Sequence, residues 1–361
     1  MKNTKLFYGL LLIAGMIMFT ACGGDSDGGV TASEAPSPTI KDKNGKKVVV
    51  TKVGASYRNF YTYNYRKNGK LESIEFYGEE DIIFTVDKDK FIIKGNINWG
   101  ENDKAEVVLK ASLTSLGFIS ALECTEKGGY EGYDGNYEKY EGKYELNFDY
   151  DSNGHLTKIT GEIEGMSSGM EYGEKYRYDI DGKYNCDIKW SNGKMMSYNR
   201  NASSKEEMGG EKNNYKNGTD ADIEYHKIKN TSKQYSYHMS QALFGDILGD
   251  YHILEALAVA GLFGKGPDYL PKQISEYCFE EDDFEGNDEW NNKWVLSFDQ
   301  NSNGTINYEQ NGYSSSNRVY FGYDNAASKA KATRSVSENK KPEKKLRPLN
   351  SFSRRHRKTQ K

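Results

Sequence analysis

Asn147-Phe148-Asp149-Tyr150-Asp151-Ser152-Asn153-Gly154-His155-Leu156-Thr157-Lys158-Ile159 is the stretch whose reading decides the fold. Polar and apolar residues alternate on both sides of Asn153-Gly154. From Leu156 to Glu164, one face carries Lys158, Thr160, Glu162 and Glu164 while the other carries Ile159 and Ile163. A period of two is that of a strand with one wet face. Asn-Gly between two such arms predicts a hairpin, because glycine adopts positive φ without steric penalty.

The unit recurs along the chain. Tyr61 to Tyr65 meets Asn68-Gly69 and then Leu71 to Phe76. Tyr176-Arg177-Tyr178 meets Asp181-Gly182 and then Tyr184 to Trp190, which meets Asn192-Gly193. Val295 to Phe298 meets Asn303-Gly304 and then Ile306 to Tyr308. Consecutive hairpins make an antiparallel meander, and closing it removes the unpaired edges. The predicted fold is mainly β, a barrel or half-barrel. Its polar strand faces, as in Leu156 to Glu164 and in Leu71 to Phe76, are unfit for lipid, so the barrel is expected in water.

One segment breaks the pattern. From His238 to Gly264, Phe244, Ile247, Leu248, Tyr251, Leu254, Leu257, Ala258 and Leu262 fall at helical spacing on one broad stripe, with Gly245, Gly249 and Gly261 able to divide it into two helices. A stripe of this kind plugs or caps a barrel; the competing expectation is a lid that responds to lipid.

The ends have a different composition. Lys2 and Lys5, an apolar run from Leu6 to Phe19, and Phe19-Thr20-Ala21-Cys22 predict a lipoprotein signal peptide over residues 1–21 with lipidation, including an acyl chain such as palmitate, at Cys22. Residues 22–45, rich in Gly, Ser, Ala and Pro, are expected to be a flexible tether. The β domain then covers 46–325. From 326 to 361 the chain holds 13 Lys or Arg against 2 Glu, a charge of +11, which leaves −15 on the rest given −4 overall. This tail is expected to be disordered and to attract an anionic polymer such as lipopolysaccharide. Phe352 is its one aromatic, so specific nucleic-acid binding is not expected.

Composition supports the β reading. Mean hydropathy is −0.85, and 28 Tyr supply bulk that aliphatic residues do not. With Cys22 lipidated, Cys124, Cys186 and Cys278 remain; an odd set permits at most one internal disulfide, and their spacing does not suggest zinc, so the expectation is buried, inert thiols.

Candidate chemistry is sparse, and no catalytic residue is assigned. Asp149, Asp151 and Asn153, and likewise Asp299, Asn301 and Asn303, match the front half of a calcium loop, making calcium the one cofactor candidate. Thr160 and Gln310 stand where the bidentate Glu belongs, and Asx residues also populate turns for their own hydrogen bonds. Glu280, Glu281, Asp282, Asp283 and Glu285, near Trp290 and Trp294, read as an acidic loop over 280–294. Paired carboxylates beside aromatics would suit glycan hydrolysis, while a solvated loop is the plainer reading. His155, His226, His238 and His252 accompany no Ser or Cys nucleophile motif.

The lipobox at Cys22, the two turns Tyr63 to Leu71 and Asn147 to Ile159, the Ala/Leu/Gly helical segment and Tyr269-Leu270-Pro271 together resemble a family of Bacteroidetes lipoproteins, a domain of unknown function with a porin-like fold. The resemblance covers about Lys46 to Asn325. It implies a porin-like antiparallel barrel and no established activity. Asp25 and Asp27 beside Cys22 resemble the signal that sends such lipoproteins to the outer face of the outer membrane. The basic tail departs from that pattern, which ends soon after the last strand, here Val319 to Tyr323.

The expectation is a non-enzymatic lipoprotein of the outer membrane, exposed at the cell surface, that binds an extracellular glycan or apolar molecule with help from Trp290 and Trp294. A glycan hydrolase using 280–294 is the alternative class, and a structural or assembly role the third.

Overall fold

The computed structural model describes residues 30–325 except 38–39, 57, 78–81, 101–102, 132–136, 172–173, 209–210, 246, 249–251 and 283–285. Cys22 and the 326–361 tail lie outside the described residues. Contacts divide the chain into Met1–Val30 and a second unit beginning at Thr31, which holds the barrel.

Sixteen strands among the described residues follow one another around a closed antiparallel barrel. They are β1 (Val48–Ala55), β2 (Arg58–Tyr65), β3 (Leu71–Phe76), β4 (Ile82–Val86), β5 (Ile92–Gly100), β6 (Asp103–Leu113), β7 (Ile119–Glu131), β8 (Tyr137–Tyr150), β9 (Leu156–Glu171), β10 (Glu174–Ser191), β11 (Lys194–Met208), β12 (Glu211–Lys229), β13 (Tyr269–Asp282), β14 (Gly286–Gln300), β15 (Ile306–Asn311) and β16 (Arg318–Asn325). Between a barrel and a half-barrel, closure is complete. β16 pairs with β1, Val53 opposite Phe321, so among the described strands no edge is left to recruit another. The wall is uneven, from 5 residues in β4 to 19 in β12.

Even-to-odd connections gather at one end, and they carry the Asx-Gly turns. Gly69, Gly154 and Gly304 take φ of 80°, 85° and 83°, and each donates its N–H to the carbonyl three residues back at 2.8 to 2.9 Å. Asn192-Gly193 is the tighter two-residue form, with φ positive at both positions. The hairpin expected at Asp181-Gly182 is not there. β10 runs straight through both residues, with Gly182 opposite Ile163 and Ser204, so this Asp-Gly is strand. An inward-facing residue in a crowded wall is also a reason to have no side chain.

The expected tether likewise differs over its described part. Ser33 N–H donates to the Ala111 carbonyl at 3.0 Å and Leu71 N–H to the Pro36 carbonyl at 3.1 Å, while Ala35 and Ile40 join the core. From Thr31 the chain is therefore a strap fixed to the barrel by backbone hydrogen bonds.

Between β12 and β13 the chain enters the barrel as two short helices, α1 (Tyr237–Phe244) and α2 (Ile253–Val259). The Ser236 hydroxyl caps α1 by accepting the Met239 N–H. The wall holds the pair in place: Tyr63 donates its hydroxyl to the Ala256 carbonyl at 2.9 Å, and Ile119 its N–H to the Leu262 carbonyl at 2.8 Å. The 238–264 segment is expected to bury one broad stripe, and α1 does so, leaving Tyr237, His238 and Gln241 only partly buried. Every residue of α2 is buried, packed against α1 and the inner side chains of the wall. Each fully buried Leu or Ile contributes about 1.5–3 kcal/mol.

The two faces of the wall have opposite polarity. β10 turns Tyr178, Ile180, Tyr184, Cys186 and Ile188 inward, all buried, and Asp179, Asp181, Lys183, Asn185, Asp187 and Lys189 outward. A wall facing lipid needs an apolar outer band about 25 Å tall. A charge or amide at each outward position means that this wall faces water. Among the described residues, no helix is long and apolar enough to cross a membrane.

Candidate functional site: a transverse trough on the outer wall

On the outer face of the long strands lies a trough of about 680 Å³. It extends over six strands, β8 to β13, and takes only one to three residues from each. Its long axis therefore crosses the strands.

Register builds its two banks. One row runs Asn147, Thr160, Asn185, Asn201, Gly218 and Phe279, each opposite the next on the neighbouring strand. The other runs Glu145, Glu162, Lys183, Ser203 and Lys216. Between them lies the inward-facing row Leu146, Gly161, Tyr184, Ala202 and Asn217. The small members of this row let inner side chains approach closely: a Cβ on Gly161 would sit 2.4 Å from Leu146 Cδ2. Gly218 does the corresponding work outside, where a Cβ would come within 2.3 Å of the Phe279 ring. The missing side chain lets Phe279 lie over β12 at one end of the trough.

The banks are hydrogen-bonding and balanced in charge. Asn185 Nδ2 donates to Asp187 at 2.8 Å, and Asn201 Nδ2 to the Asn199 amide oxygen, which holds both amides with Oδ1 as an acceptor. Lys143 pairs with Glu145 at 2.5 Å, and Lys216 with Glu281 at 3.3 Å. Glu162 and Lys183 are cross-strand neighbours. Amides, hydroxyls and one aromatic face without a reactive nucleophile make a surface suited to binding a polyhydroxylated ligand.

The residues singled out in the sequence lie elsewhere. Residues 280–294 are not a loop. Glu280 to Asp282 end β13 and Gly286 begins β14, with residues 283–285 outside the described set. Strand alternation separates the acids: Glu281 pairs outward with Lys216, whereas Asp282 is buried and accepts from Asn213. Trp290 lies opposite Cys278 and is 42% exposed, while Trp294, four residues on, packs against the core with its ring 6.5 Å from His238. The two tryptophans do not line the trough.

The two Asx loops close turns. Asp151 Oδ1 accepts the N–H groups of Asn153 and His155 at 2.9 Å, and its Oδ2 lies 3.0 Å from His155 Nδ1. Asn303 Oδ1 accepts from Thr305, Asn301 donates to the same hydroxyl, and Asp299 accepts from Asn307 at 2.7 Å. Asp149 is exposed on the outer face. Among the described residues, no three His, Cys, Asp or Glu are grouped to hold a metal.

The histidines also have structural partners: Asp151 for His155, the Leu296 carbonyl for His226, Glu309 for His238 and Glu255 for His252. Cys124, Cys186 and Cys278 are buried, and burial pushes the Cys186 thiol up to about 12, away from the reactive thiolate.

The structure defines a closed, internally plugged antiparallel barrel with a water-facing wall and a polar outer trough. It is similar to a solved porin-like protein from Bacteroides uniformis ATCC 8492 at 14% identity and TM-score 0.36, covering 80% of this chain and 99% of that one. It is also similar to a porin-like protein from Bacteroides vulgatus ATCC 8482 at 13% identity and TM-score 0.39, covering 77% and 99%. No family model and no curated protein matches the chain. Likenesses this loose carry no argument about the site, and the barrel stands on its own strand register.

Proposed function

We propose that this protein is a non-catalytic binding barrel, held at the outer face of the outer membrane by lipid on Cys22, that takes an extracellular glycan in the trough. The observation that carries the reading is the pair of in-register polar rows meeting Phe279 on a water-facing wall. A glycan offers hydroxyls to the amides and an apolar ring face to the aromatic. At the end that carries the Asx-Gly turns, the inner face that an apolar ligand would use is instead covered by α1 and α2. Binding is tested by titrating the purified full chain with neutral glycans. Loss of binding in Asn185→Ala/Asn201→Ala with unchanged thermal stability supports the site; equal binding by the double variant removes it.

A hydrolase reading has one observation in its favour, since Glu145 and Glu162 stand directly opposite one another in the trough. A retaining glycosidase uses two carboxylates of this kind, with its acid in a pocket that keeps it protonated. Here both are open to solvent and Glu145 is held by Lys143, which favours binding. Product release from a bound oligosaccharide, abolished by Glu162→Gln, would reverse that preference.

Two parts of the proposal rest on residues outside those described. Acyl labelling of the wild type, absent in Cys22→Ala, tests the anchor. Adhesion to lipopolysaccharide that falls with salt and with deletion of 326–361 tests the basic tail as a partner for anionic polymer.

A further inference from the structure

Resting on the glycan reading, we propose that the ligand is a neutral, linear, extended β-linked glycan that lies across the strands at about one sugar per strand, with the sugar at β13 seated on Phe279. The trough crosses six strands yet is only one to three residues wide along each of them, so it fits a rod and not a branched or globular ligand. Adjacent strands are about 4.8 Å apart, which makes the five intervals from β8 to β13 about 24 Å. An extended β-linked hexopyranose chain advances by nearly the same distance per sugar. A chain laid along the trough therefore stays in phase with the side-chain rows, so that Asn147, Thr160, Asn185 and Asn201 present a hydrogen-bonding group at each step. An α-linked chain curls and loses that phase within a few sugars.

Charge selects the neutral member of the class. Glu145 and Lys216 are neutralised by Lys143 and Glu281, while Glu162 and Lys183 face each other across β9 and β10. A chain with a carboxylate or sulfate on every sugar would meet Glu145 and Glu162 at one end. A chain with an ammonium on every sugar would meet Lys183 and Lys216.

The test is a length series on the full chain. β-1,4-linked neutral oligosaccharides of two to six sugars are titrated, followed by an α-1,4-linked glucan hexamer and an acidic oligogalacturonide. Affinity is expected to rise with each added sugar up to about five or six and then level off, with the α-linked and acidic hexamers about tenfold weaker or worse. Phe279→Ala is expected to reduce the hexamer to near pentamer affinity. Gly218→Ala, whose Cβ displaces the ring, should do the same with the aromatic still present. Full affinity already at one or two sugars, or equal affinity for α- and β-linked hexamers, overturns the transverse-chain proposal while leaving the glycan reading standing. Absence of binding to every glycan tested overturns both.

Discussion

Glu309 on the barrel wall closes the amino end of the internal helix that begins beside His238. Its Oε1 accepts the His238 N–H at 2.7 Å and lies 2.6 Å from His238 Nδ1, while Oε2 accepts the Tyr237 N–H at 3.1 Å. The carboxylate is fully buried. It therefore links β15 to α1 where the helix presents unpaired N–H groups and the positive end of its dipole.

Glu309→Ala leaves those donors without a partner in the interior. The expected loss is about 2–4 kcal/mol in denaturant unfolding, with Glu309→Gln losing less because it keeps an acceptor. Unchanged unfolding in the Ala variant would mean that the contact between helix and wall contributes nothing to stability.

Leu254 is 1% exposed at the centre of the plug. Leu254→Asp places an unpaired charge among aliphatic side chains, with an expected loss of about 4 kcal/mol or more. Thermal melting reads it directly. A wild-type melting temperature would show that the plug leaves the barrel readily, as a lid does.

Alkali should unfold this protein steeply. Burial, with smaller contributions from Tyr237, Glu255 and Tyr65, holds Tyr61 and Tyr63 well above the ordinary phenol range, and burial raises Tyr65, Tyr235 and Tyr323 as well. These phenols stay protonated in the fold and ionise in the unfolded chain above about pH 10, so the unfolded state binds fewer protons and stability falls with rising pH. Each contributes a loss of about 1.4 kcal/mol per pH unit in that window. Tyrosinate absorbance is expected to appear together with loss of β circular dichroism; ionisation of these tyrosines in a still-folded chain would contradict it.

Asp151→Ala should cost about 1 kcal/mol by opening the turn at Asn153-Gly154. Partial burial raises the Asp151 carboxyl, but the backbone and side chain of His155 lower it further, leaving it below its ordinary value. A depressed carboxyl contributes stability above its unfolded value of about 3.9 and loses it as the pH falls through the folded value. The variant and wild type should thus converge below about pH 4. The same melts with millimolar calcium read the loop's other candidate role: a wild-type shift that Asp149→Ala removes would assign the ion.

Much of this architecture was legible in the chain because it depends on local chemistry. Asn153-Gly154 and Asn303-Gly304 turn where glycine must take positive φ, and the polar series Lys158, Thr160, Glu162 and Glu164 marks an outward face before any fold is known. Asp181-Gly182 misled because the same dipeptide also suits a crowded strand, and only the neighbours Ile163 and Ser204 decide between the two. The acidic run at Glu280 to Asp282 misled for a related reason: side chains adjacent in sequence go to opposite faces of a strand.

By itself the sequence determined the β class, the hairpin repeat, the helical interruption and the water-facing outer surface, since each follows from a period or a turn within a few residues. Closure, the burial of every residue of α2, the anchoring of the strap and the trough were decided only by tertiary structure. Asn147, Thr160, Asn185, Asn201 and Phe279 come from five separate strands, and their alignment is a matter of register. A shift of one residue between any two strands would send half the row to the inner face. Register accumulates pair by pair from β8 to β13, so no single turn or strand contains the whole row.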